Sequence, residues 1–281
     1  MNTYYSNKKT PGSNMKAYYS LFKMRLLKGL QYRVAALAGI STQFFWGFMY
    51  IMIFEAFYKG NSTVQPISFR ELIQVIWLQQ SFLVFIMLWY RDNELLDLIT
   101  SGNIAYELCR PIDLYKLWYS KLIAQRLSGA LLRCFPIMII AVFLPYPYNF
   151  SPPPSFASFI LFLITLSLGL ILIVAISMLI YISIFYTMSS TGSLLIFGVL
   201  GEFLSGLVIP VPLMPKTLQK IVYMLPFRYT SDLPFRIYAG NIGTKEALIS
   251  IGVQVIWITI IVVLGKLWIK KALKRIIVQG G

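Results

Sequence analysis

The sequence predicts an all-α, polytopic membrane protein, and three observations carry that prediction. The chain of 281 residues is 58% hydrophobic and only 12% charged, about half the charged share of an ordinary soluble domain. Its apolar residues fall in continuous runs long enough to cross roughly 30 Å of hydrocarbon, unlike the alternating stretches of about ten residues that build a membrane β-barrel. Lysines and arginines flank these runs and seldom interrupt them, as basic side chains do beside anionic lipid on the cytoplasmic face. The net charge of +15 is therefore read as membrane anchoring, with no nucleic-acid partner.

Six apolar segments are candidate transmembrane helices, over 34–58, 72–90, 122–144, 156–185, 193–209 and 247–269. The fifth is short and carries Gly198, Gly201, Glu202 and Gly206. Basic residues precede the first segment (Lys16, Lys23, Arg25, Lys28, Arg33) and follow the last (Lys270, Lys271, Lys274, Arg275). The positive-inside rule then puts both termini in the cytoplasm and requires an even number of crossings. Residues 1–14, polar with Lys8, Lys9, Pro11 and Gly12 and no cleavable leader, read as a disordered tail. A single six-span domain follows over 15–276, and 277–281 form a C-terminal tail.

Before the first span, Tyr18, Leu21, Phe22, Leu26 and Leu30 recur at helical spacing against Lys16, Lys23 and Lys28. This predicts an amphipathic helix lying in the cytoplasmic interface; the plainer alternative is a ramp into span one. The loop over 91–121 is organised too. Asp92 is placed to N-cap a short helix over 93–100, with Glu94 in its first turn. Leu95, Leu96, Leu98 and Ile99 make that helix apolar, Gly102 stops it, and Asn103 is placed to cap a second turn ending before Pro111. Such a helix either packs on the chain's own spans or docks into a soluble subunit.

Several chemistries find no residues here. The chain contains no histidine, which removes the commonest proton shuttle and metal ligand. It has no phosphate-binding G-x-x-x-x-G-K-[ST] loop, no H-E-x-x-H and no metal-ligand spacing, so neither catalysis nor a cofactor of its own is expected. Cys109 and Cys134 do not form a disulfide framework and read as packing residues. Glu202 is the one acid expected inside spans three to six, and a carboxylate at membrane depth is a functional candidate as well as a structural one. Arg126 and Arg133 share a face of span three; snorkelling to the inner interface suffices for Arg126, whereas Arg133 is expected to face protein. Aromatics such as Phe44, Trp46 and Phe203 either line a path or pack in the core.

The most distinctive stretch begins at Gly201. A membrane helix is cut by Pro210, Pro212 and Pro215, continues as a basic amphipathic piece from Lys216 to Phe227, and is broken again around Pro226. Broken helices survive in a membrane only where protein or a watery cavity satisfies the freed backbone, which suggests re-entrant external helices before span six. Lys216, Lys220, Arg228, Arg236 and Lys245 lie on this external side, against the positive-inside rule, and are expected to snorkel to the surface.

Three segments together resemble the membrane subunit of type-2 ABC exporters, in the branch of small bacterial permeases. They are Ser101-Gly-Asn-Ile-Ala-Tyr-Glu-Leu-Cys-Arg-Pro-Ile112, Leu204-Ser-Gly-Leu-Val-Ile-Pro-Val-Pro-Leu-Met-Pro215, and Leu225-Pro-Phe-Arg-Tyr229 with Ile237-Tyr-Ala-Gly240. The resemblance implies a multi-pass protein of the bacterial cytoplasmic membrane. It implies a pair of separate ATPase subunits that bind ATP and magnesium, and a second permease that is either a related chain or a second copy. It implies that Asp92, Glu94, Leu95, Leu98, Ile99, Arg110 and Pro111 couple to the ATPase, and that Glu202, Pro210, Pro212 and Phe227 belong to the pathway or external gate. The exported substrate would be amphiphilic, such as a drug, peptide or lipid-like molecule. The competing classes are an ion-coupled transporter, which normally shows more intramembrane acids and internal repeats, and a non-transporting membrane scaffold.

Overall fold

The computed structural model describes residues 11–60, 65–187 and 189–274, and among them it is helical with no strand. In chain order the helices are α1 (Pro11–Leu30), α2 (Arg33–Gly60), α3 (Phe69–Ser81), the single turn α4 (Leu83–Ile86), α5 (Asn93–Thr100), the turn α6 (Ala105–Leu108), α7 (Leu114–Val142), α8 (Phe156–Thr187), α9 (Ser190–Leu204), α10 (Lys216–Met224), α11 (Asp232–Ala239) and α12 (Thr244–Leu273). Four of them, α2, α7, α8 and α12, are long and apolar enough to cross a bilayer.

The N-terminal amphipathic helix begins at Pro11, ahead of the tail boundary expected at residue 14; residues 1–10 and 275–281 lie outside the described residues. It ends at Leu30, and α2 starts afresh at Arg33, so α1 is a separate element and not a ramp. Positions 17, 18, 21, 22, 25, 26, 29 and 30 form its half-buried stripe, one face of a 3.6-residue period, and this stripe lies along α7. A Cβ at Gly29 would collide with the Ser128 hydroxyl; the absent side chain is what lets the two helices approach. The outward face mixes Lys16, Lys23 and Lys28 with Met15, Tyr19, Met24 and Leu27.

The segments expected as spans two and five differ from the other four. The fifth is the 15-residue α9, about 22 Å long at 1.5 Å per residue. The second is the 13-residue α3, a break at Phe82, the turn of α4 and non-helical chain from Met87. The start of α3 is held by a capping box, in which Ser68 Oγ accepts from the Glu71 amide at 3.2 Å and Glu71 Oε2 accepts from the Ser68 amide at 2.7 Å. Every residue from 72 to 81 is buried, glutamines included. Gln74 donates to the Asn149 carbonyl and accepts from the Ser151 amide, and Gln79 donates to the Gly206 carbonyl. These amides bind α3 to the loops around it, as buried polar groups must be bound.

The break after α3 is stabilised by Arg126. This α7 side chain is 1% exposed, contrary to the snorkelling expected of it. Its Nη1 donates to the carbonyls of Val84 and Phe85 at 3.3 Å and of Met87 at 2.8 Å, and its Nη2 donates to Ser177 Oγ on α8 at 3.0 Å. These acceptors are the carbonyls that an uninterrupted helix would have satisfied internally. Arg133 does face protein: its guanidinium lies against Gly39 of α2, where a Cβ would sit 2.6 Å from Cζ.

The long helix α8 runs beside α12 and α11. The backbone of residues 227–230 crosses it at Gly169, where a Cβ would stand 3.0 Å from the Thr230 carbonyl oxygen. Gln254 of α12 closes this junction by donating to the Thr165 and Tyr229 carbonyls, both at 2.9 Å.

Replacing Arg126 with Met keeps the apolar length but strands those carbonyls. With charged hydrogen bonds worth roughly 1.5–3 kcal/mol each, Arg126→Met is expected to cost on the order of 3 kcal/mol or more, and Arg126→Lys less. Thermal unfolding in detergent, followed by tryptophan fluorescence, reads this out. A Met variant as stable as wild type contradicts the assignment.

Candidate functional site

The loop between α4 and α7 forms the helix expected of it. α5 spans Asn93–Thr100 with Asp92 as N-cap, its carboxylate accepting from the Leu95 amide at 3.2 Å, and Gly102 ends the run at φ +75°, a backbone conformation that costs glycine nothing. The second turn, α6, has no side-chain cap; only the Asn103 backbone carbonyl takes part, accepting from Tyr106.

The apolar face of α5 is turned inward. Leu95, Leu96 and Ile99 are buried, Leu98 is half-buried, and Asn93, Glu94, Asp97 and Thr100 are exposed. Leu95 and Ile99 are therefore core residues packed on the chain's own helices, with α8 as a neighbour, and are not free to dock into a soluble partner. Past Gly102 the chain instead exposes Tyr106 and Leu108, followed by Cys109, Arg110 and Pro111. Cys109 is exposed rather than packed. Local periodicity missed Tyr106 and Leu108, because a four-residue helix is too short to display a period; the turn after Gly102 was the available signal.

The N-terminus of α5 is clasped from two sides. Arg25 of α1 makes ion pairs with both Asp92 and Glu94, and Lys28 approaches Glu94 at 3.8 Å. From α8, the Tyr181 hydroxyl accepts the Asp92 amide at 2.7 Å. The Glu94 carboxyl is held below its ordinary pKa chiefly by the Arg25 hydrogen bond; burial opposes this, and the charges of Arg25, Lys28 and Lys121 reinforce it. At the other end of the loop, Glu107 is buried, accepting from Trp118 Nε1 and Lys121 Nζ on α7, each at 2.9 Å. Arg110, half exposed, stands 3.7 Å from the same carboxylate.

The segment expected on the external side also differs from expectation. Lys216, Lys220 and Lys245 are exposed, but Arg228 and Arg236 are buried and do not snorkel. Asp232 lies between them, at 3.9 Å and 3.3 Å. The Arg228 guanidinium stacks over Tyr223 at 3.7 Å, and Arg236 donates to Asn241 Oδ1 at 2.8 Å. Of the expected gate residues, Pro210 and Pro212 are buried. Phe227 is near α9, since a Cβ at Gly201 would lie 3.6 Å from its ring. Glu202, half-buried, lines a cavity of about 320 Å³ with residues of α2, α3 and the chain after α4; Pro210 and Pro212 do not line it.

Residues 44–280 match the family model of the ABC-2 family transporter protein. The chain belongs to this family. Neither the curated proteins nor the solved structures give a match.

As an ABC-2 protein the chain is a multi-pass membrane permease of an ABC-type transporter, and the family partners with an ABC ATPase subunit. The α5–α6 loop of this ABC-2 chain exposes one face of α5 and the turn of α6, is capped at Asp92, and is tied to α1, α7 and α8.

The clasp carries a pH signature. A depressed folded-state pKa means that the Glu94 contribution is complete above the ordinary carboxylate value of about 4.3 and is lost as pH falls through the lower folded value. Amide protection factors in α5 are expected to hold from neutral pH down to about pH 5 and to drop below about pH 4, as read by hydrogen exchange. Glu94→Gln should show lower protection at neutral pH and a smaller acid response. A variant with wild-type protection throughout contradicts the clasp.

Proposed function

We propose that the chain is the permease of an ATP-driven exporter, moving an amphiphilic substrate outward across a bacterial cytoplasmic membrane. In this reading α3–α4 and α9 complete six crossings with α2, α7, α8 and α12. Both termini are cytoplasmic, α1 lies in the lipid interface, and α10–α11 form a re-entrant external cap. ATP and magnesium bind a partner pair of ATPase subunits, and a second permease, a related chain or a second copy, completes the pathway.

The observation that carries the proposal is the clasp on α5. Asp92 and Glu94 are held by Arg25 on α1, and the Asp92 amide by Tyr181 on α8. In this reading a displacement of the loop is passed to an interfacial helix and a spanning helix at once, through packed contacts of the kind that carry coupling. The contact surface is Glu94 and the other exposed α5 residues, together with Tyr106, Leu108, Arg110 and Pro111. Asp92, Leu95, Leu98 and Ile99 serve from within, by fixing α5 to the bundle. Glu202 and Phe227 border the path, with Pro210 and Pro212 shaping the cap beside it.

The test uses the chain purified with its ATPase and reconstituted in lipid. Tyr106→Ser with Leu108→Ser is expected to weaken ATPase association about tenfold, the scale of losing interface anchors. Arg25→Gln should leave association intact but lower substrate-stimulated ATP turnover several-fold. Unchanged association in the first and unchanged stimulation in the second contradict the reading.

A further inference from the structure

Glu202, half-buried, stands apart from the buried acids. Asp92 pairs with Arg25, Glu107 with Lys121 and Arg110, and Asp232 with Arg228 and Arg236. Among the described residues no lysine or arginine forms an ion pair with Glu202. A carboxylate partly withdrawn from water with no cationic partner is costly, so its surroundings decide what it is for.

Those surroundings are electron-rich. The cavity of about 320 Å³ is walled by Trp46 and Tyr50 of α2 and by Trp89 from the chain after α4. The Trp46 and Tyr50 rings are 6.1 Å apart, tilted by 36°. The Trp89 indole interacts with the Glu202 carboxylate, and Trp89 is seated against Gly198, where a Cβ would lie 3.0 Å from the Trp89 Cβ. Gln80, 3% exposed, also lines the cavity, and its Oε1 is buried with no hydrogen-bond partner. A carboxylate, an unsatisfied amide oxygen and three aromatic rings all favour positive charge. No cationic side chain lines the space.

A small metal cation would need several more oxygen ligands, and a hydrated ammonium would gain little from the rings. Aromatic walls with one carboxylate suit a cation whose charge is flanked by apolar groups, as in quaternary ammonium recognition, and the volume lies within the usual range for small-molecule sites. We propose that this cavity binds the head of a lipophilic organic cation, which makes amphiphilic cations the substrate class of the transporter. This rests on the permease reading above, and Glu202 and Trp46 touch the substrate directly.

Tetraphenylphosphonium is a suitable probe, with tetraphenylborate as its size-matched anion. Saturable binding to the full chain in lipid nanodiscs is measured with labelled phosphonium, with and without the ATPase subunits. Wild type is expected to bind the phosphonium saturably and, in a separate assay with labelled borate alone, to show no saturable binding of the anion. Glu202→Gln should weaken binding about tenfold or more, Glu202→Asp less, and Trp46→Leu several-fold, each in protein that retains wild-type thermal unfolding. Equal affinity in wild type and Glu202→Gln, or saturable binding of the borate alone with equal affinity, overturns the proposal. So does a carbodiimide cross-link joining Glu202 to a lysine of the second permease, because protein then supplies the cation. If ATPase subunits assemble and ATP turnover responds to another cargo while the phosphonium does not bind, the cation site falls and the permease reading stands. If no ATPase associates yet the phosphonium binds through Glu202, the permease reading falls and the cation site stands.

Discussion

Three carbonyl oxygens left over by a broken helix converge on one guanidinium, and much of the structure follows from that meeting. In hydrocarbon an unsatisfied backbone group costs several kcal/mol, so helices rarely stop inside a membrane unless other protein groups replace their bonds. Arg126 supplies that replacement at Val84, Phe85 and Met87, while Ser177 holds its other arm. With the break stabilised, the chain can leave helical geometry at Met87 and run on to Asp92. That short stretch delivers Trp89 to Glu202 and sets Asp92 between Arg25 and Tyr181. The proposed cation cavity and the proposed coupling loop are thus the two ends of one irregular segment.

The buried charges follow a consistent logic around this segment. Removing one partner of a buried ion pair is far more damaging than removing both, because the survivor keeps its desolvation cost. Asp92, Glu107 and Asp232 each secure an irregular stretch by meeting a cation from another turn or helix. Glu202 breaks that pattern, and it does so where aromatic rings and an unsatisfied amide oxygen open onto a cavity.

Much of this was legible in the residues. Asp92, Glu94 and Gly102 mark the ends of α5 by chemistry that acts within a few residues, and the helix lies over the expected range, Asn93–Thr100. The apolar stripe of α1 was legible for the same local reason, and the long helices from their unbroken hydropathy. The break in the second segment was not. Nothing between Phe82 and Met87 is a helix breaker; the kink depends on Arg126, about forty residues away, which periodicity alone cannot bring to it. The direction of the α5 apolar face was hidden likewise, since an amphipathic pattern says that one face is covered and not by what. Arg228 and Arg236 looked like surface cations although Asp232 stands four residues from each; what the pattern did not show is that α11 packs on α8 and α3, which buries all three side chains.

Six crossings require α3–α4 to traverse the membrane despite its break, which places the α5–α6 loop in the cytoplasm; if that segment does not cross, the same loop lies outside. The native cysteines report this directly, because Cys109 is exposed on the loop and Cys134 is buried in α7. A membrane-impermeant maleimide is expected to label Cys109 in inside-out vesicles and to leave it unmodified in intact cells. Labelling from outside in intact cells would contradict the account.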